Sequence, residues 1–253
     1  MMRLFPHQLR GEQRLYWRSR ELAFFTFLFP LIIFVLLGSV YGDDTIKKEH
    51  GVKASAYLLA GILGYGLVST AFAGLAIVLV IRRETGVLKR LRGTPLPPAT
   101  YLGSVIASTV IVYSIESVVL IVVARLLYNV PFPHEWPSVI LAILFGTLSF
   151  AAMGFAVTGL IRSDEGASAV VNAIYLPVAF LAGSFWTAQS FPHFLEVISE
   201  ILPLTHFIRL MRNIVLLHQP IWDNWEQIAV IAAWGLAGLI LSARYFRWEP
   251  REA

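Results

Sequence analysis

One acidic residue lies deep inside a long apolar stretch and is the first candidate for chemistry. Glu116 falls within the run Thr100–Leu127, about 24 Å along a helix that would begin near Thr100. An ionisable side chain inside a membrane is costly and indicates function by default, although a hydrogen bond to a neighbouring helix also explains it. Both interpretations stay open. Arg125 points to the opposite side of the same helix, so it is not the same-face partner of Glu116.

The residue types also bear on three other kinds of site, namely a hydrolase site, a thiol or metal site and an ATP-binding loop. Ser184 with His193 or His206 has the residues of a serine hydrolase, but Ser184 lacks a G-x-S-G setting, so an intramembrane hydrolase is only a minor hypothesis. The chain has no cysteine, which excludes disulfides and thiolate ligands, and we expect no bound metal. It lacks a G-x-x-x-x-G-K-[ST] phosphate loop, so we expect no ATP hydrolysis and no catalytic residue in this chain.

The composition is that of a membrane protein. Hydrophobic residues make up 57% of the 253 residues and charged residues only 14%, and the mean hydropathy is +0.69. Uncharged runs of about 20 residues, the length that crosses a bilayer as a helix, recur along the sequence. We expect an all-α polytopic membrane protein with six transmembrane helices in a single domain, residues 1–253. The predicted spans are Leu22–Val40, Ala54–Ile81, Thr100–Leu127, Ser138–Ile161, Ala167–Trp186 and Gln227–Ala243.

Cationic residues are distributed unequally between the two sides of these spans. With the N-terminus inside, one side carries fourteen Lys and Arg residues, whereas the other carries Lys47, Lys48, Lys53, Arg209 and Arg212. Positive charge accumulates on the cytoplasmic side of membrane proteins, which predicts that both termini are cytoplasmic. Because the basic residues fall in short clusters between apolar runs, they indicate juxtamembrane charge and no nucleic-acid partner.

Three segments are too short or too polar to span. Residues 1–21 interleave arginines with apolar side chains and are predicted to form an interfacial helix on the cytoplasmic leaflet. Residues 82–99 contain a short basic amphipathic helix, a shape that suits both anionic lipid and a groove of a soluble partner. Residues 187–223 contain two short amphipathic pieces separated by Pro203, which are predicted to re-enter the outer leaflet as an external lid or gate.

Three signatures carry a resemblance to a known family. Residues 83–95, with the sequence RETGVLKRLRGTP, are similar to an R-E-x-G-x-L-x-x-L-x-x-T-P loop motif. The segment 183–192, followed by Leu-Pro-Leu-Thr at 202–205 and by Arg212, is similar to a G…P…L-P-x-T…R block. Pro30 in the first span follows a basic amphipathic lead-in. In these features, and over nearly its whole length, the chain resembles the type-2 ABC exporter permeases, which include daunorubicin-type drug-resistance permeases.

The resemblance implies a half-transporter. Two copies of the chain, or this chain and a close relative, would pair with two separate ABC ATPase subunits that bind ATP and Mg²⁺ themselves. The resemblance also implies export of an amphipathic drug, lipid or glycolipid-like substrate across a prokaryotic inner membrane, as in multidrug efflux and antibiotic resistance. An ATPase-independent channel or secondary carrier is the alternative, and it predicts transport by the purified chain alone.

The resemblance also assigns roles to residues. The helix at 84–92 becomes the coupling helix received by the ATPase, with Leu88 and Leu91 filling a groove of the partner. The second and fifth spans become the lining of a central cavity, although ordinary helix packing explains the same small and polar side chains. The expected coupling residues are Arg83, Glu84, Gly86, Leu88, Leu91, Thr94 and Pro95. The expected substrate path comprises Ser69, Thr70, Glu116, Asn172, Phe180 and Phe185.

Overall fold

Helices form nearly all of the regular structure in the computed structural model, which describes residues 4–41, 45–46, 52–161, 163–185, 192–246 and 248–250. The first part of the chain forms α1 (Leu4–Arg18), α2 (Arg20–Tyr41), α3 (Ala54–Leu67), a π-helical segment (Val68–Gly74), α4 (Leu75–Glu84) and α5 (Val87–Arg92). The second part forms α6 (Pro98–Tyr128), α7 (Trp136–Thr158), α8 (Ala167–Leu181), α9 (His193–Ile201), α10 (Pro203–Val215), a 3₁₀ turn (Ile221–Asn224) and α11 (Trp225–Tyr245). One antiparallel pair of two-residue strands, β1 (Thr45–Ile46) and β2 (Val52–Lys53), precedes α3. The described residues therefore agree with the predicted all-α class, apart from this strand pair.

Five helical stretches among the described residues are long and apolar enough to cross a membrane. They are Arg20–Tyr41, Ala54–Glu84, Pro98–Tyr128, Trp136–Thr158 and Ile221–Tyr245. The remaining apolar helix, α8, has 15 residues and contains Pro177, so its helical part is only about 22 Å long. The predicted fifth span extends to Trp186, which lies outside the described residues, as do residues 187–191 of the predicted external segment. The chain is thus a multi-pass membrane protein, and its described residues contain five long apolar helices and one shorter one.

Prolines set where three of these helices begin. Pro98, Pro137 and Pro203 lie in the first turns of α6, α7 and α10. The first N–H groups of a helix have no partner within it, so proline loses no hydrogen bond there, and its fixed φ is already helical. At its other end, α6 stops at Asn129, whose φ of 54° turns the chain out of the helix. The proline cluster after residue 94 therefore separates the basic loop cleanly from the long α6 helix.

The rod made by α3 occupies the centre of the bundle. Every residue from Ala54 to Leu67 is buried, which requires a helix that is apolar all round. The short helix α10 packs against this rod with Phe207 and Ile208, both fully buried, and Ile208 reaches Gly64. A helix too short to span is tolerated at membrane depth when it is enclosed by protein in this way.

Small residues bring α7 and α11 into close contact. A Cβ added to Gly238 would lie 2.7 Å from the backbone nitrogen of Met153, and one added to Gly159 would lie 2.8 Å from the carbonyl oxygen of Tyr245. Such close backbone approach is typical of small-residue helix interfaces in membranes. The pair α7–α11 is therefore one closely packed unit, with the end of α11 lying against the end of α7.

Candidate functional site

Arg83 holds the loop between α4 and α6 against the bundle. Its side chain is 1% exposed, and its two terminal nitrogens donate to the carbonyl oxygens of Thr158 and Ile161 at 2.7 Å each. The Nε donates to Glu84 at 2.6 Å. Because the last carbonyls of a helix have no partner within it, these bonds cap the C-terminus of α7. Arg83 and Glu84 are therefore engaged inside the chain and do not face outward.

The short helix α5 turns its apolar side inward. Gly86 adopts a φ of 72°, a left-handed conformation that glycine tolerates without strain, and the chain reverses there between α4 and α5. Leu88 is fully buried in a cluster with Leu79 and Tyr101, and Leu91 packs against the same cluster. The expectation that Leu88 fills a groove of a partner is thus corrected, since Leu88 serves to seat α5 on its own bundle.

The outward surface of this loop is cationic. Lys89, Arg90 and Arg92 are exposed on α5, and Thr94 and Pro95 are exposed just after it. A cluster of exposed cations favours a partner surface of opposite charge and steers its approach. The loop therefore combines a buried apolar anchor with a positively charged face.

A cavity of about 600 Å³ lies among α1, α2, the π-helical segment, α6 and α8. Its wall includes Ser69, Thr70 and Asn172, three of the predicted path residues, and most of the remaining lining is apolar or aromatic. A pocket of this size, mainly apolar with a few polar groups, is typical of small-molecule sites. The structure thus brings these three predicted side chains to one surface, two from the π-helical segment and one from α8.

Glu116 does not line the cavity but lies directly behind Thr70, which does. It is 1% exposed, and its Oε2 accepts a hydrogen bond from the Thr70 hydroxyl at 3.0 Å, while its Oε1 accepts none from the described residues. Gly66 borders Oε1 and leaves room for the carboxyl group. Thr70 belongs to the π-helical segment, a rare distortion that is frequent at functional sites. The hydroxyl of Thr70 therefore connects the carboxyl group of Glu116 to the cavity.

Phe180 and Phe185 form an aromatic cluster outside the cavity wall. Their ring centroids lie 5.1 Å apart, and Phe185 lies 5.3 Å from Tyr65, which does line the cavity. Tyr65 also approaches Tyr175 with a ring separation of 6.3 Å. The predicted path residues accordingly divide into wall residues, one buried acid and an aromatic group next to the wall.

A charged network that sequence reasoning missed closes the other end of the cavity. Arg82 donates to Glu12 on α1 at 2.8 Å and to the hydroxyl of Tyr101 on α6 at 2.8 Å. Gln13 donates to the Ser108 backbone carbonyl at 3.1 Å, so α1 is docked along α6 and does not rest on lipid alone. In the sequence this docking could have been inferred only from Glu12, the single acidic residue among the arginines of residues 4–18. Within this docked helix, burial raises the pKa of Tyr16, another residue of the cavity wall, to about 12.

The second sequence signature is brought together by contacts on α10. The guanidinium of Arg212 lies 3.5 Å from the centre of the Tyr57 ring and donates to the carbonyl oxygen of Gly183 at 3.2 Å. Nearby, Arg209 forms a two-pronged ion pair with Glu200, and this hydrogen bonding holds the pKa of Glu200 below its usual value. Two arginines of α10 therefore tie this helix to Gly183, to α3 and to α9.

The hydrolase hypothesis gains no support from the geometry. The Ser184 hydroxyl makes no hydrogen bond to any described residue, and His206 instead bonds the carbonyl oxygen of Glu200 through Nε2 at 2.8 Å. His193 is exposed, and its Nδ1 lies 3.8 Å from the carboxylate of Glu196. A nucleophile needs a base within hydrogen-bond reach, and neither histidine contacts Ser184 in the described part of the chain.

Comparison with known proteins decides the family. A family model described as "ABC-2 family transporter protein" matches residues 41–244. The chain belongs to this family. Permeases of the ABC-2 family are membrane subunits without an ATPase domain of their own, and membership implies partnership with an ABC ATPase subunit. The predicted resemblance to ABC exporter permeases is confirmed at the level of the ABC-2 permease family.

Individual relatives of this ABC-2 permease are bacterial. YvfS of Bacillus subtilis (strain 168), which carries the name of a transport permease, is 24% identical over 247 residues, covering 97% of this chain and 98% of its own length. The inner membrane transport permease YadH of Escherichia coli (strain K12) is 22% identical over 182 residues, or 70% of this chain and 68% of YadH. Nodulation protein J of Rhizobium leguminosarum bv. trifolii is 25% identical over 226 residues, or 86% and 82% of the two chains.

Proposed function

We propose that this ABC-2 permease is the membrane half of an exporter that moves an amphipathic molecule out of the cytoplasm or the inner leaflet. The observation that carries the proposal is the cavity, which runs from Arg82 on α4 to Tyr65 on α3, about 25 Å along the continuous helical stretch Ala54–Glu84. Phe25 and Leu176 line it and are themselves 64% and 38% exposed, so it has a lateral side that lipid-like molecules can enter. Apolar walls with a few hydroxyls suit a drug, lipid or glycolipid-like molecule.

The orientation we propose has six spans in a prokaryotic inner membrane, with α8 as the short fifth span and both termini in the cytoplasm. The excess of Lys and Arg on one side supports it. In this orientation α1 lies at the cytoplasmic leaflet, where its exposed Leu15 and Trp17 meet lipid. The helices α9 and α10 form the external re-entrant segment, and the aromatic group of Phe180 and Phe185 lies between it and the cavity.

The powering subunit is proposed to bind at α5. ATP and Mg²⁺ belong to that subunit, and two of its copies serve two copies of the permease, as a homodimer or with a close relative. The packing of the loop supports this contact. Because Arg83 and Leu88 fix α5 against the bundle, a force applied to α5 would displace α4 and α6 and would not simply bend the loop. Thr94, Pro95 and the cations of α5 form the contact, and Gly86 permits the turn that presents them.

Charge reversal on α5 tests this proposal without disturbing the core. The permease is co-expressed with the ATPase encoded beside it, purified through a tag on the permease, and compared with Lys89→Glu/Arg90→Glu. We expect co-purified ATPase to fall about tenfold, because close interfacial charge pairs become repulsive. The control is Arg10→Glu/Arg14→Glu, which reverses two exposed cations on α1 and should leave the ATPase bound.

The outcome separates the alternatives. Loss with the α5 variant alone supports the coupling contact. If no ATPase associates even with the wild-type chain, the ATPase-independent carrier or channel becomes the better hypothesis. ATP-dependent accumulation of a fluorescent amphiphile in inside-out vesicles then tests export directly, and accumulation driven by an ion gradient without ATP contradicts it.

A further inference from the structure

The residues that follow α11 pack next to the proposed coupling loop, residues 82–99. Trp248 lies 6.1 Å from Tyr101 and 5.4 Å from Phe246, measured between ring centroids, and Phe246 lies 5.9 Å from Phe155. Tyr101 begins the helix after the loop, and Phe155 lies near the end of α7. Two aromatic residues that follow α11 therefore bridge α6 and α7.

The same aromatic residues support the anchor of α5. Leu88, Leu79, Tyr101 and Phe155 belong to one buried cluster, and both Phe246 and Trp248 pack against it. Aromatic pairs add a geometric preference to the area they bury, so such a cluster fixes the position of what rests on it. The seat of α5 is thus built partly from the C-terminal segment.

The outer surface of the loop is also continuous with this segment. Glu249 approaches Arg92 of α5 at 3.9 Å, and both side chains are 61% exposed. An exposed pair at this distance contributes little stability, but it shows that α5 and residues 248–250 form one surface. A partner that covers Arg92 also meets Glu249.

The C-terminal segment is in turn fixed to the α7–α11 unit. Tyr245, the last residue of α11, lies over Gly159, where a Cβ would come within 2.8 Å of the Tyr245 carbonyl oxygen. Gly238 lies equally close to α7 two turns earlier. Any displacement of Phe246 and Trp248 therefore has to move the α7–α11 unit with them.

We propose that Phe246 and Trp248 position the coupling helix and join it mechanically to α7 and α11, so that the C-terminal segment is part of the ATPase docking surface. This rests on the proposed function of α5 as the ATPase contact. Phe246 and Trp248 are positioning residues, because they act through Leu88 and Tyr101 and not through substrate. Movement imposed on α5 then reaches α11 as well as α4, α6 and α7, whose side chains share the buried cluster with Leu88.

The first measurement reads the position of α5 directly. The chain has no cysteine, so Lys89→Cys on the exposed face of α5 gives a single site for a nitroxide spin label. We expect Trp248→Ala to increase the mobility of this label in the purified chain, and Trp248→Phe to restore it, because an aromatic ring refills the contact with Tyr101. Trp225→Ala is the matched control, since Trp225 is 68% exposed at the other end of α11.

The second measurement reads coupling in the complex with the ATPase. We expect Trp248→Ala to lower ATP-driven transport by roughly 2- to 30-fold, the range for residues that modulate coupling without touching a ligand. Trp248→Phe should recover most of the loss, and Trp225→Ala should transport as wild type does.

The two proposals fail in different ways. If Trp248→Ala matches Trp225→Ala in both label mobility and transport, the positioning role is overturned while the ATPase contact stands. If wild type binds no ATPase, the proposed function fails, and the label mobility still reports whether Trp248 positions α5. A mobile label with unchanged transport overturns the mechanical link and leaves Trp248 as packing only.

Discussion

At the scale of residues, two buried polar side chains of this permease, Arg83 and Glu116, bond partners far away in the sequence. Arg83 bonds carbonyl groups 75 and 78 residues further on, and Glu116 bonds Thr70 over 46 residues. A buried polar group without a partner is costly, so each of these contacts constrains how two helices meet. The Thr70–Glu116 pair is the more informative one, because one member lines the cavity and the other carries a buried carboxyl group behind its wall.

The Thr70 hydroxyl can be tested by an isosteric change. Thr70→Val leaves the buried Glu116 carboxyl group without its donor, and we expect a loss of about 1–3 kcal/mol in the free energy of unfolding. The matched control is Thr109→Val, because the Thr109 hydroxyl lines the same cavity but donates to the Val105 carbonyl of its own helix, at 3.0 Å, and not to a carboxyl group of another helix. Thermal unfolding in detergent provides the measurement. Equal midpoints for the two variants would contradict a structural role of the pair.

At the scale of elements, short helices carry most of what distinguishes this molecule. The helix α5 has six residues, yet it presents the charged face of the loop and buries Leu88 beneath it. The helix α10 buries an apolar face against α3 and is held by Arg212 on the Tyr57 ring. Neither is long enough to span, so both depend on the long helices for their place. Among the long helices, the α7–α11 pair depends most visibly on glycine.

Substitution of one glycine tests that pair. Gly238→Ala places a Cβ 2.7 Å from the backbone of Met153, which cannot move aside as a side chain can. We expect a loss of about 1–3 kcal/mol from the overpacking, seen as a lower unfolding midpoint in detergent. Gly11→Ala is the control, since nothing lies within 4 Å of its added Cβ and alanine favours a helix. A midpoint for Gly238→Ala at or above that of Gly11→Ala would show that the two helices are not in close contact.

At the scale of the whole molecule, the charge distribution predicts one orientation in the membrane. The absence of cysteine lets this be read with single substitutions. We expect Lys53→Cys to react with a membrane-impermeant maleimide on intact cells, and Arg90→Cys to react only after the inner membrane is opened, because the cationic α5 belongs in the cytoplasm. Both residues are exposed in the folded chain. The reverse pattern would place the coupling loop outside and exclude an ATPase contact there.

Much of the architecture was predictable from the sequence because the bilayer acts on each apolar run separately. Hydropathy placed the first four runs within a few residues of α2, the α3–α4 rod, α6 and α7, and the prolines after residue 94 marked the start of α6. The basic loop at 82–99 and the two short helices around Pro203 were found by their polar spacing. The family followed from short contiguous motifs, which a sequence records directly.

The tertiary structure alone decided which way the side chains of those elements face. Periodicity marks an apolar side of α5, but only the packing shows that Leu88 is enclosed by α4, α6 and α7 and is not offered to a partner. In the sequence Trp248 is an aromatic residue after the last apolar run, whereas its contacts place it against Tyr101 and the buried cluster beneath α5. The reason is physical: insertion into a bilayer is decided residue by residue along the chain, whereas burial and hydrogen bonding join residues that are far apart in sequence.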